Sequence, residues 1–396
     1  MKAIVLGAGR QGLAIAFDLA RRGGAAEVTL VEADRSALRE GVRRLRRLAP
    51  GSRFRPVADG VAGGRGDARL LRGHDVAVSA VPYRFNPGLA RAAVAARVPF
   101  CDLGGNTDLV REALRLDAAA RRAGIGIVPD CGLAPGLGNV LASMLVREVP
   151  GIRHVRIRCG GLEQEPTGPL GYALLFSIGG LTNEYTGEAV VLRGGRLRRF
   201  EAFTEPEPFD APGGLGRLEC FFTSGGTSTA PWTFRGRLET YEYKTVRYPG
   251  HFDRVRAMID LGLLDLRPVE VAGRPVVPRE VFHALAGPHL DRGTVRDIAI
   301  LRVDGTDRRG CGIRYEMLQR FDPRTGFTAM EQTTGTPAAV TARDLALRLL
   351  PPGVRTPERL GYGPAHLRDL RRRGLRIRRI RLGGVPSRSG SPPERR

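Results

Sequence analysis

The chain has 396 residues, 42% hydrophobic, 26% charged and 6% aromatic, a globular composition long enough for two domains. It contains no run of about 18 apolar residues, which excludes a transmembrane helix, and its five cysteines (101, 131, 159, 220 and 311) lack the paired spacing of a zinc site or a disulfide framework, so no metal is expected. The net charge is +22, but eleven arginines crowd between Arg368 and Arg396 against Asp369 and Glu394, and no basic patch is interleaved with aromatics, so neither nucleic acid nor membrane is an expected partner.

The N-terminal segment "KAIVL" (2–6) reads as a buried strand, followed by "GAGRQG" and a helical run, "LAIAFDLARRG". Further strands are expected at 27–32, 53–58, 75–81, 99–105 and 124–132, with helices at 87–97 and 107–123. Strands that are apolar throughout and alternate with helices predict an α/β, doubly wound parallel sheet over residues 1–132. From 133 to 336 the pattern changes to period-two runs such as "RGRLETYEYKTV" and "GIRYEMLQRFD". These predict a second α+β domain on a largely antiparallel sheet. A helix at 338–350 opens a segment, 337–382, expected to return to the first domain, and 383–396 reads as a disordered basic tail. The chain starts directly on a strand with no signal peptide, which with the unpaired cysteines predicts a cytoplasmic protein.

"GAGRQG" sets Gly7, Gly9 and Gly12 in the dinucleotide-binding pattern, with Arg10 and Gln11 between them. Gly7 permits the turn, Gly9 lets backbone approach a pyrophosphate, and Gly12 lets helix and strand close. Glu32 ends the second strand, where a carboxylate takes ribose hydroxyls and repels a 2′-phosphate. NAD is therefore expected over NADP, although Arg35 stands nearby. Other strand ends bring Ala80, Val81, Tyr83 and Asn86, then Asp102 and Asn106, then Asp130 to the same edge. Asn86 and Asn106 read equally well as helix caps. Asp130 follows the last strand, where a nicotinamide would lie, and Tyr83 is a second candidate for proton transfer. Cys131 has no identifiable base and reads as a structural thiol.

All but two of the 63 basic side chains are arginine; the exceptions are Lys2 and Lys244. Lysine can lose its proton when its surroundings lower its pKa and arginine cannot, so Lys244 is a candidate acid/base.

The stretches "VLGAGRQG", "VPYRFN", "DLGGN", "PDCGLAPGLGN", "TSGGTST" (223–229) and "EYKTVRYPGH" (242–251) together resemble the saccharopine dehydrogenase family, in its Rossmann-type reductase branch, over nearly the whole chain. Within the family the likeness is greatest to the lysine 6-dehydrogenases. The resemblance implies an NAD(P)-dependent dehydrogenase acting on a C–N bond of an amino acid. The first expectation is oxidation of L-lysine at its ε-amine to allysine, which cyclises to piperideine-6-carboxylate. Alternatives are a saccharopine or carboxynorspermidine type of dehydrogenase, or a non-catalytic nucleotide sensor. A homodimer or higher homo-oligomer is expected. On this reading Thr227, Ser228 and Thr229 of the glycine turn, with Asn106, Arg247 and His251, bind the substrate, and Lys244 either moves protons or anchors its carboxylate.

Overall fold

Apolar strands must be covered on both faces, and the first six strands build such a sheet, buried except at strand ends and along one edge strand. They are β1 (Lys2–Leu6), β2 (Glu27–Glu32), β3 (Phe54–Ala58), β4 (Val76–Ser79), β5 (Phe100–Asp102) and β6 (Gly126–Val128), all parallel, in the order β3–β2–β1–β4–β5–β6. Pro56 sits in β3, on the sheet edge, where the lost N–H donor is tolerated. The strand order reverses between β1 and β4, which opens a crevice beyond their carboxyl ends. The structure, a computed structural model, describes residues 1–64 and 66–383; residues 384–396 of the expected tail lie outside them.

The second domain carries β7 (His154–Glu163), β8 (Glu188–Arg193), β9 (Arg196–Glu201), β10 (Glu207–Asp210), β11 (Arg217–Phe221) and β12 (Thr240–Arg247). A separate hairpin follows, β13 (Val269–Val271) and β14 (Arg274–Val276), and then β15 (Asp297–Thr306) and β16 (Gly312–Arg320). The order is β10–β11–β12–β7–β15–β16, antiparallel except for the β12–β7 pair, with β8 and β9 added at β12. Both expected sheets are present. Among the described residues no helix is long and apolar enough to cross a membrane.

The segment after β16 joins the two domains. A helix at Ala329–Ala346 packs along the first helix, Arg10–Arg21, so closely that a Cβ added to Gly335 would stand 2.8 Å from the Ala14 Cβ. This helix begins nine residues before the expected start. Thr328 and Glu331 form a reciprocal capping box, and the buried Asp297 accepts from the Met330 amide at 2.9 Å. Both satisfy amides that the first helical turn leaves free. β17 (Gly353–Val354) then extends the parallel sheet beside β6, and β18 (Ile377–Leu382) pairs with β16 in the other sheet. The helix expected over 107–123 is two, Thr107–Leu114 and Asp117–Ala123. Asp117 opens the second and accepts from the Val354 amide at 2.8 Å, so the added strand fixes where it begins.

Candidate active site

The glycine loop divides its labour as the pattern predicts. Gly7 has φ +100°, and an added Cβ would stand 2.8 Å from the Ala80 carbonyl oxygen; a Cβ on Gly12 would stand 1.9 Å from that of Gly7. Those two positions pack β1, β4 and the helix together. Gly9 differs, since a Cβ there would meet nothing within 4 Å. It caps the Arg10–Arg21 helix without any side-chain bond, so the first amides of that helix face open space with a positive dipole end. The Gln11 Oε1 beside them is buried and lacks a hydrogen-bond partner. Glu32 reaches back to the loop, one oxygen accepting from the Ala8 amide at 3.0 Å and the other from Asp34 at 3.2 Å. A backbone cradle, an uncapped helix and an acid at the end of β2 fit a dinucleotide.

Gly9, Arg10, Gln11, Ala80, Val81 and Tyr83 line a cavity of about 510 Å³ that opens between the domains. Arg10 does not turn to the loop. Its guanidinium crosses the cleft to the Leu174 carbonyl at 2.7 Å and the Asp291 carboxylate at 2.9 Å. The Tyr83 hydroxyl accepts from the Asn183 side-chain amide. Both residues also line an adjoining cavity of about 660 Å³.

Two acids expected at the cleft lie beneath it. Asp102 is buried and accepts from the amides of Gly104 at 2.8 Å and Asp130 at 3.2 Å, and burial lifts its pKa to about 6. Asp130, at φ +60°, is buried under Gly104 and accepts from the Ser228 hydroxyl, while its other oxygen has no partner. Burial, and then the Asp102 carboxylate, push its pKa to about 8. Neither lines the cavity, because the Leu103–Gly105 turn covers them. The role of Asp130 is corrected accordingly: it lies beneath the turn, bonded to Ser228, while Asp102 holds the turn through the Gly104 amide.

The opposite wall is set by alternation along β12. Tyr243, Thr245 and Arg247 point into the cavity. Lys244 points away, its Nζ donating to Glu207 Oε2 at 2.8 Å and the Glu205 carbonyl at 2.8 Å, 4.8 Å from the centre of the Phe222 ring. Lys244 therefore does not reach the cleft, since side chains one residue apart on a strand face opposite sides. Arg247 does, although it is only 3% exposed. Its Nη2 lies 3.9 Å from Glu184 Oε2. Glu184 ends the helix Ile178–Glu184 with a third of its side chain open to the cavity. Burial raises its pKa to about 7, against the pull of Arg247.

The remaining expected ligands are dispersed. Asn106 caps its helix, accepting from Asp108 and Leu109 amides at 3.0 and 3.2 Å. Thr227 donates to the Val190 carbonyl at 2.8 Å and Thr229 to Glu358 at 2.8 Å. With Ser228 bound to Asp130, the three hydroxyls of the glycine turn are spent inside the protein. Asn106 and Thr227 line only the adjoining cavity. His251 is 1% exposed, behind Arg247 rather than in the cleft.

The two halves of the chain match one family. Residues 3–128 match the saccharopine dehydrogenase NADP binding domain and residues 132–375 the saccharopine dehydrogenase C-terminal domain. The chain belongs to the saccharopine dehydrogenase family. Over 245 residues it is 23% identical to saccharopine dehydrogenase (NADP(+), L-glutamate-forming) of Saccharomyces cerevisiae, covering 60% of this chain and 53% of that one. Over 206 residues it is 25% identical to the mitochondrial alpha-aminoadipic semialdehyde synthase of Rattus norvegicus, covering 50% and 22%. The chain thus spans about half the length, or less, of these relatives. The apo saccharopine dehydrogenase (L-Glu forming) structure from Saccharomyces cerevisiae superposes with a TM-score of 0.72 at 18% identity, over 96% of this chain and all of that one. Homospermidine synthase from Legionella pneumophila, in complex with NAD, gives 0.64 at 12% identity, over 99% and 93%. At such identities the two structures show the shared fold.

Glu184, Asn183 and Tyr185 are cleft or cleft-wall residues that no sequence motif marks. "LTNEYTG" matches no motif, and its acid reaches the cavity only because a short helix carries it there. Tyr243 had a signal, its shared parity with Arg247 on β12.

Proposed function

We propose that the chain is an NAD(P)-dependent dehydrogenase that oxidises a C–N bond of an amino acid, with L-lysine at its ε-amine as the first reading. The observation that carries it is the Glu184–Arg247 pair, 3.9 Å apart, opening together on the cavity beside the glycine loop. A carboxylate and a guanidinium so placed complement the zwitterionic head of an α-amino acid. Arg247 takes the α-carboxylate by its fork, and Glu184, when ionised, takes the α-ammonium. The side chain is then free to extend toward Gly9 and Tyr83. A nicotinamide dinucleotide, when bound at the glycine loop, supplies the hydride acceptor. The ε-ammonium first gives up a proton to solvent; the neutral amine then loses a hydride from the ε-carbon, and water adds to the resulting iminium to release ammonium and leave the aldehyde. The Tyr83 oxygen already accepts from Asn183, so its own proton is available at the cavity wall. NAD is the proposed cofactor, because Glu32 stands where a 2′-phosphate would meet its charge.

A saccharopine-type secondary amine is the second reading. Arg279 favours it: the residue is 7% exposed, lines the adjoining cavity, and makes no ion pair within 4 Å among the described residues, with the Asp265 carboxylate close enough to act on its charge. Its guanidinium is held by Leu264, Asn183 and Thr186. A longer substrate with a second carboxylate would meet it there.

The test is reduction of NAD and NADP, followed by absorbance, with lysine, saccharopine, ornithine and a carboxylated polyamine. Turnover of lysine with NAD is expected. Turnover of saccharopine alone selects the second reading. Dinucleotide binding without turnover of any amine overturns the enzymatic proposal in favour of a nucleotide sensor.

A further inference from the structure

We propose that Tyr185 and His251 are positioning residues that orient the Arg247 guanidinium toward the cleft, an assignment that rests on Arg247 being the carboxylate anchor. A chain of hydrogen bonds runs from the Leu170 carbonyl to Arg247, and its polarity is fixed at both ends. The carbonyl can only accept, so His251 Nδ1, at 3.0 Å, carries the proton. Tyr172, Tyr185, Phe203 and Phe221 surround the imidazole, and burial, followed by the Arg247 charge, holds its pKa at about 3. A neutral ring carries one proton, so Nε2 is an acceptor. Its partner at 2.9 Å is the Tyr185 hydroxyl, which must therefore donate. The Tyr185 oxygen is left with lone pairs for Arg247, whose Nε donates to it at 3.0 Å.

This arrangement restricts the guanidinium plane. Nε is held by Tyr185 and Nη1 by the Val246 carbonyl at 3.0 Å, and the Tyr172 ring lies 4.8 Å from the Cζ. Since the guanidinium is rigid and planar, fixing those two nitrogens also fixes Nη2, the one nearest Glu184. If His251 were charged, Nε2 would become a donor, the Tyr185 oxygen would have to accept from two cationic side chains at once, and its hold on Arg247 would weaken. A polar histidine buried behind the cleft, with no contact to it, is thereby accounted for.

Two arms test the proposal. The first needs no turnover: titrate Glu184 by carboxyl ¹³C NMR in the full-length protein. Arg247, Tyr172, Tyr185, Tyr243 and Cys159 are the titratable or charged groups near Glu184, and Arg247 alone among them carries a charge at neutral pH. Tyr185→Phe and His251→Phe each loosen Arg247, so the Glu184 titration should move in both, upward where the guanidinium swings away and downward where it closes on the carboxylate. His251→Gln, whose amide oxygen can replace Nε2 as acceptor, should leave it near the wild-type position. The second arm is kinetic: the two Phe variants should raise KM for the amino acid roughly tenfold or more, the usual weight of one hydrogen bond to a charged group, with kcat and dinucleotide affinity little changed. The double variant should be no worse than either single one, because the links act in series. An unmoved Glu184 titration in both Phe variants, with native circular dichroism retained, overturns the proposal. A moved titration in a protein that turns over no amino acid leaves the positioning intact and overturns the substrate reading instead.

Discussion

Lys244 and Glu207 form an ion pair, Nζ to Oε2 2.8 Å, on the face of β12 turned away from the cleft. The lysine is nearly buried and Glu207 is partly open. Arg158 approaches the other oxygen of Glu207 at 2.6 Å. Burial tends to raise the Glu207 pKa, but Arg158 and Lys244 together hold it at about 2. The one lysine in the second domain is therefore part of the sheet's far side.

Lys244→Ala should accordingly cost stability and spare catalysis. Arg158 still pairs with Glu207, and solvent screens part of the lost attraction, so the loss should be about 2 kcal/mol. Urea unfolding should show a lower midpoint, while kcat and KM stay near wild type. A drop in kcat of roughly 10²-fold, the usual effect of removing a general acid or base, would return Lys244 to the chemistry.

Glu184 should govern the acid limb of the pH profile. On the proposed reading it would hold the substrate ammonium only when ionised, and its pKa in the fold is about 7. Below that pH the carboxyl is neutral and binding weakens, so kcat/KM should fall as pH drops through 7 while kcat falls less. In Glu184→Gln that limb should vanish and KM should rise roughly tenfold. A loss confined to kcat would make Glu184 a proton carrier rather than a clamp.

Asp130 should make the fold less stable as pH rises. Its pKa is about 8 in the fold and near 4 unfolded, so the native state binds more protons between those values. Stability then falls as pH rises through that window. Asp130→Asn keeps an acceptor for Ser228 and removes the titration. The difference in Tm between pH 5 and pH 9 should shrink in the variant, and an unchanged difference would show that Asp130 is ionised throughout.

Gly9→Ala and Gly12→Ala should fail in different ways. The space around Gly9 is open, whereas a Cβ on Gly12 overlaps the Gly7 carbonyl. Gly9→Ala should fold with an unchanged Tm yet bind NAD more weakly in calorimetry. Gly12→Ala should lose the fold itself. Equal NAD affinity in Gly9→Ala would place the pyrophosphate elsewhere.

The sequence alone determined the two sheets and the dinucleotide loop, because both are local. Apolar strands alternating with helices announce a parallel sheet, period-two runs announce the other, and Gly7, Gly9 and Gly12 meet within one turn. The substrate wall is not local in this sense. Rarity marked out Lys244, yet strand parity turned it away and brought Tyr243 and Arg247 inward instead. Asp130 and Ser228 lie in motifs that read as site residues, yet the two side chains bond each other under the Leu103–Gly105 turn. Glu184 and His251 take the contacts behind their proposed roles from groups far along the chain: Arg247 for the first, Tyr185 and Leu170 for the second. Which face of a strand looks into the cleft, and which polar group is satisfied before it can reach a ligand, depends on packing between distant segments. Tertiary structure alone settled those choices.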